Sequence, residues 1–309
     1  MEKSIIGTGI FNLDIIVKRD YPQWPEMRPF EDNVVLEEVG GTCGNVMSIL
    51  AWMGWDARPV VKLDDSAEGL MVAKDLERYG CDCRYVTNTS DGGTTILTCT
   101  HKKNQEGQHV LSCRAGSPGG SRFPRRRYIR MRDEAPEFLS SLTKKDTPSV
   151  FFFDDPSAGN RALARGMKER GSLVYFEPSK IGMNADREAV ILSDIIKFSD
   201  ENVPIVKFAD LFPDKIFIQT MGAKGVRIKY KTKPWQAYVL NSELPVKVVD
   251  TEGAGDWFTA TFINELAEQG VENASSLTSE QALAALRQAM CMAALSVGYL
   301  SSKGMIHSE

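Results

Sequence analysis

Short apolar runs and stretches of helical period alternate along the chain. The runs Ser4–Ile10, Pro59–Leu63, Val150–Phe153, Leu173–Phe176, Ile195–Phe198 and Lys215–Gln219 predict strands. Between them, Thr42 is expected to cap a helix through Val46, Ile49, Leu50 and Met53, and Ser66 one through Leu70, Val72, Ala73 and Leu76. Two more helices are predicted over Ala158–Arg170 and Ala185–Leu192. Strands that alternate with helices in this way make parallel pairs joined by crossovers, so the pattern predicts an α/β fold: a doubly wound three-layer sandwich around a mostly parallel sheet.

Two regions break the rhythm. From Asp14 to Val39 the apolar positions alternate (Ile15, Val17, then Val34, Leu36) around the proline-rich Tyr21–Phe30, and Gly93–Cys113 reads as a hairpin with Thr95, Leu97 and Cys99 alternating. A small sheet built from these two insertions, approximately 14–39 and 93–113, has few partners for its inner face unless it folds over the main sheet. The expectation is therefore one domain over residues 1–309 with a β lid, against the plainer alternative of a solvent-exposed insertion.

Composition narrows the partners. Of 309 residues 42% are hydrophobic and 25% charged, and 37 basic against 41 acidic residues leave a net charge of −4, so no global positive field draws the chain to nucleic acid or anionic lipid. Arg122, Arg125, Arg126, Arg127, Arg130 and Arg132 form a basic run, but Asp133, Glu134 and Glu137 follow at once, and a solvated loop and helix start is expected. Asn12, Asp14, Lys18 and Arg19 interrupt the apolar start, which argues against a membrane span or signal peptide. Six scattered cysteines suit a reducing cytoplasm, and the close pair Cys81 and Cys83 has one residue too few between them for a zinc knuckle.

The most informative stretch runs from Val246 to Phe262. It reads as a strand, a tight turn at Gly253-Ala254-Gly255, and a long helix through Leu266. Glycines there let the backbone turn sharply and leave amides exposed at the helix start, where unpaired N–H groups and the helix dipole suit an anion. Asp256 falls in the first turn and is expected to stay ionised, able to accept a proton from an attacking hydroxyl. Gly7-Thr8-Gly9 invites a dinucleotide reading that fails where Asn12 replaces the last glycine, and no Gly-x-x-x-x-Gly-Lys-Ser/Thr run exists.

Asp250-Thr251-Glu252-Gly253-Ala254-Gly255-Asp256 resembles the Asp-Thr-x-Gly-Ala-Gly-Asp signature of the ribokinase-like (PfkB-type) carbohydrate kinases. Three further motifs fall in the family's order: Asn12-x-Asp14 after the first strand, Gly40-Gly41-Thr42-Cys43-Gly44-Asn45 leading into a helix, and Thr220-Met221-Gly222-Ala223-Lys224-Gly225. The resemblance implies that Asp256 is the catalytic base and that Gly253, Ala254 and Gly255 form an anion hole. It also implies that Asn12, Asp14, Gly40, Gly41 and Asn45 bind substrate hydroxyls, and that Thr220, Gly222 and Gly225 lie beside nucleotide phosphate.

One motif departs from the family. Where it places Asn-x-x-Glu on the nucleotide side, this chain has Ser199-x-x-Asn202, so Glu201 or Asp200 would have to supply the carboxylate near magnesium. ATP and Mg²⁺ are the implied cofactors, and Asp250 and Glu252 stand where some relatives hold a monovalent cation. The resemblance thus implies ATP-dependent phosphorylation of a primary hydroxyl on a sugar or sugar-like molecule. A nucleoside or vitamin kinase of the same fold, or a non-catalytic sugar or nucleotide sensor, are the alternatives. The lid's edge strands suggest a homodimer.

Overall fold

The computed structural model describes residues 1–19, 34–103, 109–115, 131–179, 184–200, 208–240, 246–271 and 273–308. The proline-rich Tyr21–Phe30, the arginines from Arg122 to Arg130, Glu201 and Asn202 lie outside the described residues. In chain order the strands are β1 (Ser4–Thr8), β2 (Asn12–Arg19), β3 (Val34–Gly40), β4 (Asp56–Pro59), β5 (Val61–Leu63), β6 (Val86–Asn88), β7 (Thr95–Lys103), β8 (His109–Ala115), β9 (Val150–Phe153), β10 (Leu173–Phe176), β11 (Ile195–Ser199), β12 (Ile216–Thr220), β13 (Val226–Tyr230) and β14 (Gln236–Tyr238). Eight form the main sheet in the order β14-β13-β12-β11-β10-β9-β1-β4. From β4 to β12 every pair is parallel, and β13 and β14 add two antiparallel strands at one edge.

The continuous apolar runs have a direct cause: both faces of this sheet are buried. Ile5, Phe152, Tyr175 and Ile195 point to one side, where they meet the helices Thr42–Trp52, Ala254–Glu268 and Ser279–Ser296 through residues such as Val46, Trp257, Phe262 and Leu286. Their neighbours Ile6, Phe151, Phe153, Val174, Phe176 and Ile196 point to the other, against Ala135, Leu163, Met167 and Val190 of the helices Met131–Ser141, Ala158–Glu169 and Asn184–Leu192. Phe153 and Phe176 stack at 4.5 Å across β9 and β10.

The lid is the second sheet, in the order β3-β2-β7-β8. Its hairpin β7–β8 and the antiparallel pair β2–β3 form as the alternation predicts, joined by a parallel β2–β7 ladder from Asn12↔Thr95 onward. Leu13, Ile15, Val17 and Ile96 bury their side chains in the same cluster as the first helix, so the lid's inner face is continuous with the core.

Four expectations need correction. The run Pro59–Leu63 is not one strand: Pro59 ends β4 in the main sheet, whereas Val61–Leu63 leaves it to pair with β6. The first strand stops at Thr8 rather than Ile10, because Ile10 turns the chain toward the lid and gives its N–H to Asp154. Residues 246–250 are not a strand; Val249 and Asp250 both direct their N–H groups at the Val297 carbonyl beyond the last helix. Finally, Ser66 does cap its helix through the Gly69 amide, but Thr42 is already the first helical residue, with Gly41 as N-cap and no side-chain cap of its own.

Asp154, at the end of β9, does the work expected of Thr42. Its two carboxylate oxygens accept the Ile10 and Cys43 amides, each at 2.9 Å, and so tie the β1–β2 turn to the start of the first helix. Asp154→Ala strands two buried amides, at roughly 1–3 kcal/mol for each unmet group, partly offset by removing a desolvated carboxyl. We expect a loss of about 2 kcal/mol in unfolding free energy, read from urea midpoints; an unchanged midpoint would show the tie to be dispensable.

Candidate active site

The polar residues gather at the carboxyl ends of the parallel strands, where open α/β sheets place their ligand crevices. Thr8 ends β1, Asp154 follows β9, Glu177 follows β10, Ser199 ends β11 and Thr220 ends β12. Over these ends lie the starts of two helices, Thr42–Trp52 and Ala254–Glu268.

Gly253 is the N-cap of the second of these helices, with φ 76°, in the left-handed region that a side chain disfavours by roughly 1–2 kcal/mol. A Cβ there would also collide with the Cα and Cβ of Ser302. The turn is that tight because the C-terminal segment is sewn to it. Asp250 accepts the N–H of Glu252 and that of Ser301, each at 2.9 Å, and Trp257 donates its indole N–H to the Ser302 carbonyl at 2.7 Å. Ser301 is held at φ 69°, unusual for a residue with a side chain. The Asp250 carboxylate thus serves two backbone amides.

Beside this helix start is a cavity of about 630 Å³. Thr251, Ala254 and Gly255 form part of its wall, and Ser199, Thr220, Gly222 and Gly225 line it as well. The rest is apolar, with Val246, Val248, Phe258, Met290 and Val297 among the lining side chains. The structure therefore brings together the predicted glycine turn and the predicted nucleotide-side residues. Gly225 needs to be glycine because a Cβ would strike the Tyr238 carbonyl of β14, whereas Gly222 faces open space. Asp200, next to Ser199, lies 4.0 Å from the Lys224 ammonium.

Asp256 stands behind the turn, 9% exposed. The expectation that it stays ionised is overturned: burial, reinforced by the nearby Glu177 carboxylate, raises its carboxyl to about 8 despite Lys197, Asn45 and Lys303, which pull it down. The pull of the helix start is smaller than the loss of hydration.

Asn45, expected to bind a substrate hydroxyl, lies against Asp256 with its amide occupied at both ends. Nδ2 donates to Asp256 Oδ2 at 2.6 Å, while Oδ1 accepts from Lys303 Nζ at 2.5 Å and Ser302 Oγ at 2.9 Å. Asn12 and Asp14 differ: each has a buried Oδ1 with no hydrogen-bond partner among the described residues. Burial pushes the Asp14 carboxyl up to about 7, with Lys303 opposing, and the Asp14 carboxylate fills the space where a Cβ on Gly40 would sit.

Four charged residues of the site were not anticipated. Lys303 is fully buried, 3.6 Å from Glu38 on β3. Burial works to raise the Glu38 carboxyl, but Lys303, His307 and Ser301 outweigh it and hold it below its ordinary value. On the opposite flank Lys197 pairs with Glu177 and donates to the Gly255 carbonyl at 2.9 Å, while Thr259 donates to Glu177 at 2.5 Å. A lysine inside the doubly buried run Ile195–Phe198 was the one available signal, because such a charge needs a partner. Nothing local marked Lys303, which meets Asn45 across 258 positions.

Among the described residues no helix is long and apolar enough to cross a membrane. The sequence pattern of the pfkB family carbohydrate kinases matches residues 187–307. "Probable fructokinase-5" of Arabidopsis thaliana is 26% identical over 78% of this chain and 77% of its own length, and the ribokinase of Bacillus subtilis 27% identical over 98% and 95%. The crystal structure of a fructokinase with bound ATP from Xylella fastidiosa shares the fold, with a TM-score of 0.70 at 16% identity over 98% of this chain and 94% of that one. Family pattern, relatives spanning most of the chain and a lidded, mostly parallel sheet agree, and the chain resembles the ribokinase-like, PfkB-type carbohydrate kinases in both sequence and fold.

Proposed function

We propose that this phosphotransferase uses ATP to phosphorylate a primary hydroxyl of a sugar or sugar-like alcohol, with Asp256 as the base. The observation that carries the reading is the placement of Asp256 in the first turn of a helix whose Gly253–Gly255 start borders a nucleotide-sized cavity. Nearby, Asn12 and Asp14 hold buried acceptor oxygens without partners among the described residues. Acceptors left open call for donors, and a neutral polyol supplies hydroxyl hydrogens where a phosphate or carboxylate would be repelled. The relatives named fructokinase and ribokinase, and the ATP in the fructokinase crystal, support the same donor and acceptor classes.

The cavity's apolar wall suits a base, and its polar end at Ser199, Thr220, Gly222 and the helix start suits phosphates. In this scheme the amides of Gly253, Ala254 and Gly255 meet the charge that develops on the transferring phosphoryl group. Asp256 Oδ2 is fixed by Asn45, and the carboxylate takes the hydroxyl proton. Magnesium is expected to be held largely through phosphate oxygens, and Asp200 with the Ser199 hydroxyl supplies a donor set of the right chemistry for it. When bound, the ion would neutralise charge between the phosphates. The exposed Val34 and Val35 on β3, an edge strand of the lid, favour a homodimer through that sheet; a monomer mass by light scattering would count against it.

Asp256→Asn should keep the fold and substrate binding yet lower kcat by at least ~10²-fold, the usual worth of a positioned base. Full turnover in that variant removes the mechanism. Because Asp256 must be deprotonated to act and its carboxyl is raised, kcat/KM for the sugar should climb with pH through about 8 and then level off. A profile already flat above pH 6 would contradict an Asp256 base of this kind.

A further inference from the structure

Two buried carboxylates with different roles share one cation. Lys303 Nζ reaches Asn45 Oδ1 at 2.5 Å and Ser302 Oγ at 2.8 Å, and lies 3.6 Å from Glu38 of the lid strand β3. Its side chain is 0% exposed, and that of Glu38 1%. Glu38 is in turn held by the Tyr79 hydroxyl at 3.1 Å and by His307 Nε2 at 3.2 Å. A continuous line of contacts therefore runs Glu38, Lys303, Asn45, Asp256.

An ammonium can only donate hydrogen bonds, so the atom of Asn45 that faces Lys303 must be the carbonyl oxygen. The amide nitrogen is then forced toward Asp256, where it donates to Oδ2 at 2.6 Å. Were the amide reversed, its N–H₂ would face an ammonium and its oxygen would face a carboxylate, and both contacts would be repulsive. Lys303 thus decides which way Asn45 points, and Asn45 decides how Asp256 is held.

We propose that Lys303 is a positioning residue for the transfer reaction: acting through Asn45, it orients the Asp256 carboxylate, and through Glu38 it links that arrangement to the lid. The proposal rests on Asp256 being the base. Other groups face the same atoms: Glu177 after β10 and Lys197 on β11 act on Asp256, and Cys43 lies near it on the first helix. Asp14 on β2, Tyr79 and Cys81 lie near Lys303. Of the two lysines that act on Asp256 among the described residues, only Lys303 also has an amide between itself and the carboxylate. Lys197 spends its bonds on Glu177 and the Gly255 carbonyl.

Lys303→Met keeps the length of the side chain and removes its charge, and Glu38→Gln/Lys303→Met also removes the carboxylate that would otherwise be buried unpaired. In whichever variant melts cooperatively, the acidic limb of the kcat/KM profile should move up by about one pH unit, the direction expected when a cation near a carboxylate is lost. At pH 7 kcat should fall by about tenfold while KM for ATP stays within about twofold, since the cavity wall is untouched. Glu38→Gln alone, which keeps the lysine, should not move the limb upward. A folded variant with the unaltered limb and kcat, or an equal loss at every pH with no shift, would overturn the proposal, as would failure of both variants to fold. If Asp256→Asn retains turnover, the underlying reading fails and the proposal falls with it; if Asp256→Asn loses turnover while the Lys303 variants change nothing, only the role of Lys303 fails.

Discussion

The side-chain amide of Asn45 is the contact on which the site depends, because it joins the only buried carboxylate on the helix that starts at the cavity to a lysine buried in the C-terminal segment. A carboxylate taken out of water loses hydration worth several kcal/mol and tends to keep its proton. Here burial and Glu177 push Asp256 that way, while Lys197 and the Lys303–Asn45 pair oppose them. The outcome is a group poised between its two protonation states near neutral pH, which is where a general base is most useful.

The fold supplies this balance by bringing distant segments to one edge of the sheet. Parallel strands end side by side, so Asp154, Glu177 and Ser199 fall along one end of the sheet although crossover helices separate them in sequence. Asp154 caps a helix that lacks a cap of its own and so fixes Gly41 and Asn45 beside the β1–β2 turn. The C-terminal segment is latched by Asp250 and Trp257, which carries Lys303 into the interior and holds Ser301 in a backbone conformation it would otherwise avoid. Strain in that loop is sustained by the two amides that Asp250 accepts.

Much of the scaffold was legible because its physics is local. Val150–Phe153 and Leu173–Phe176 are strands for the reason their composition states, full burial on both faces. The glycine turn before Asp256 was legible because no other residue fits φ 76° against Ser302. Pro59–Leu63 misled because one apolar run serves two sheets, and only the register of β1 with β4 and of β5 with β6 separates them. The ionisation of Asp256 was misjudged because the first turn of a helix is favourable to a carboxylate only while water also reaches it. Lys303 and Glu38 stayed hidden because their partners are defined by tertiary packing, and neither spacing nor period encodes a contact across 258 residues.

The site turns on Asp256 as a buried carboxyl whose surroundings raise its ionisation toward neutral pH. Carbon-13 NMR of the side-chain carboxyl, assigned by the loss of its signal in Asp256→Asn, follows that titration in the folded, ligand-free protein. A midpoint near 8 is expected, well above the ordinary aspartate range. A midpoint below about 5 would mean that the carboxylate is as well solvated as an exposed one, and would contradict it.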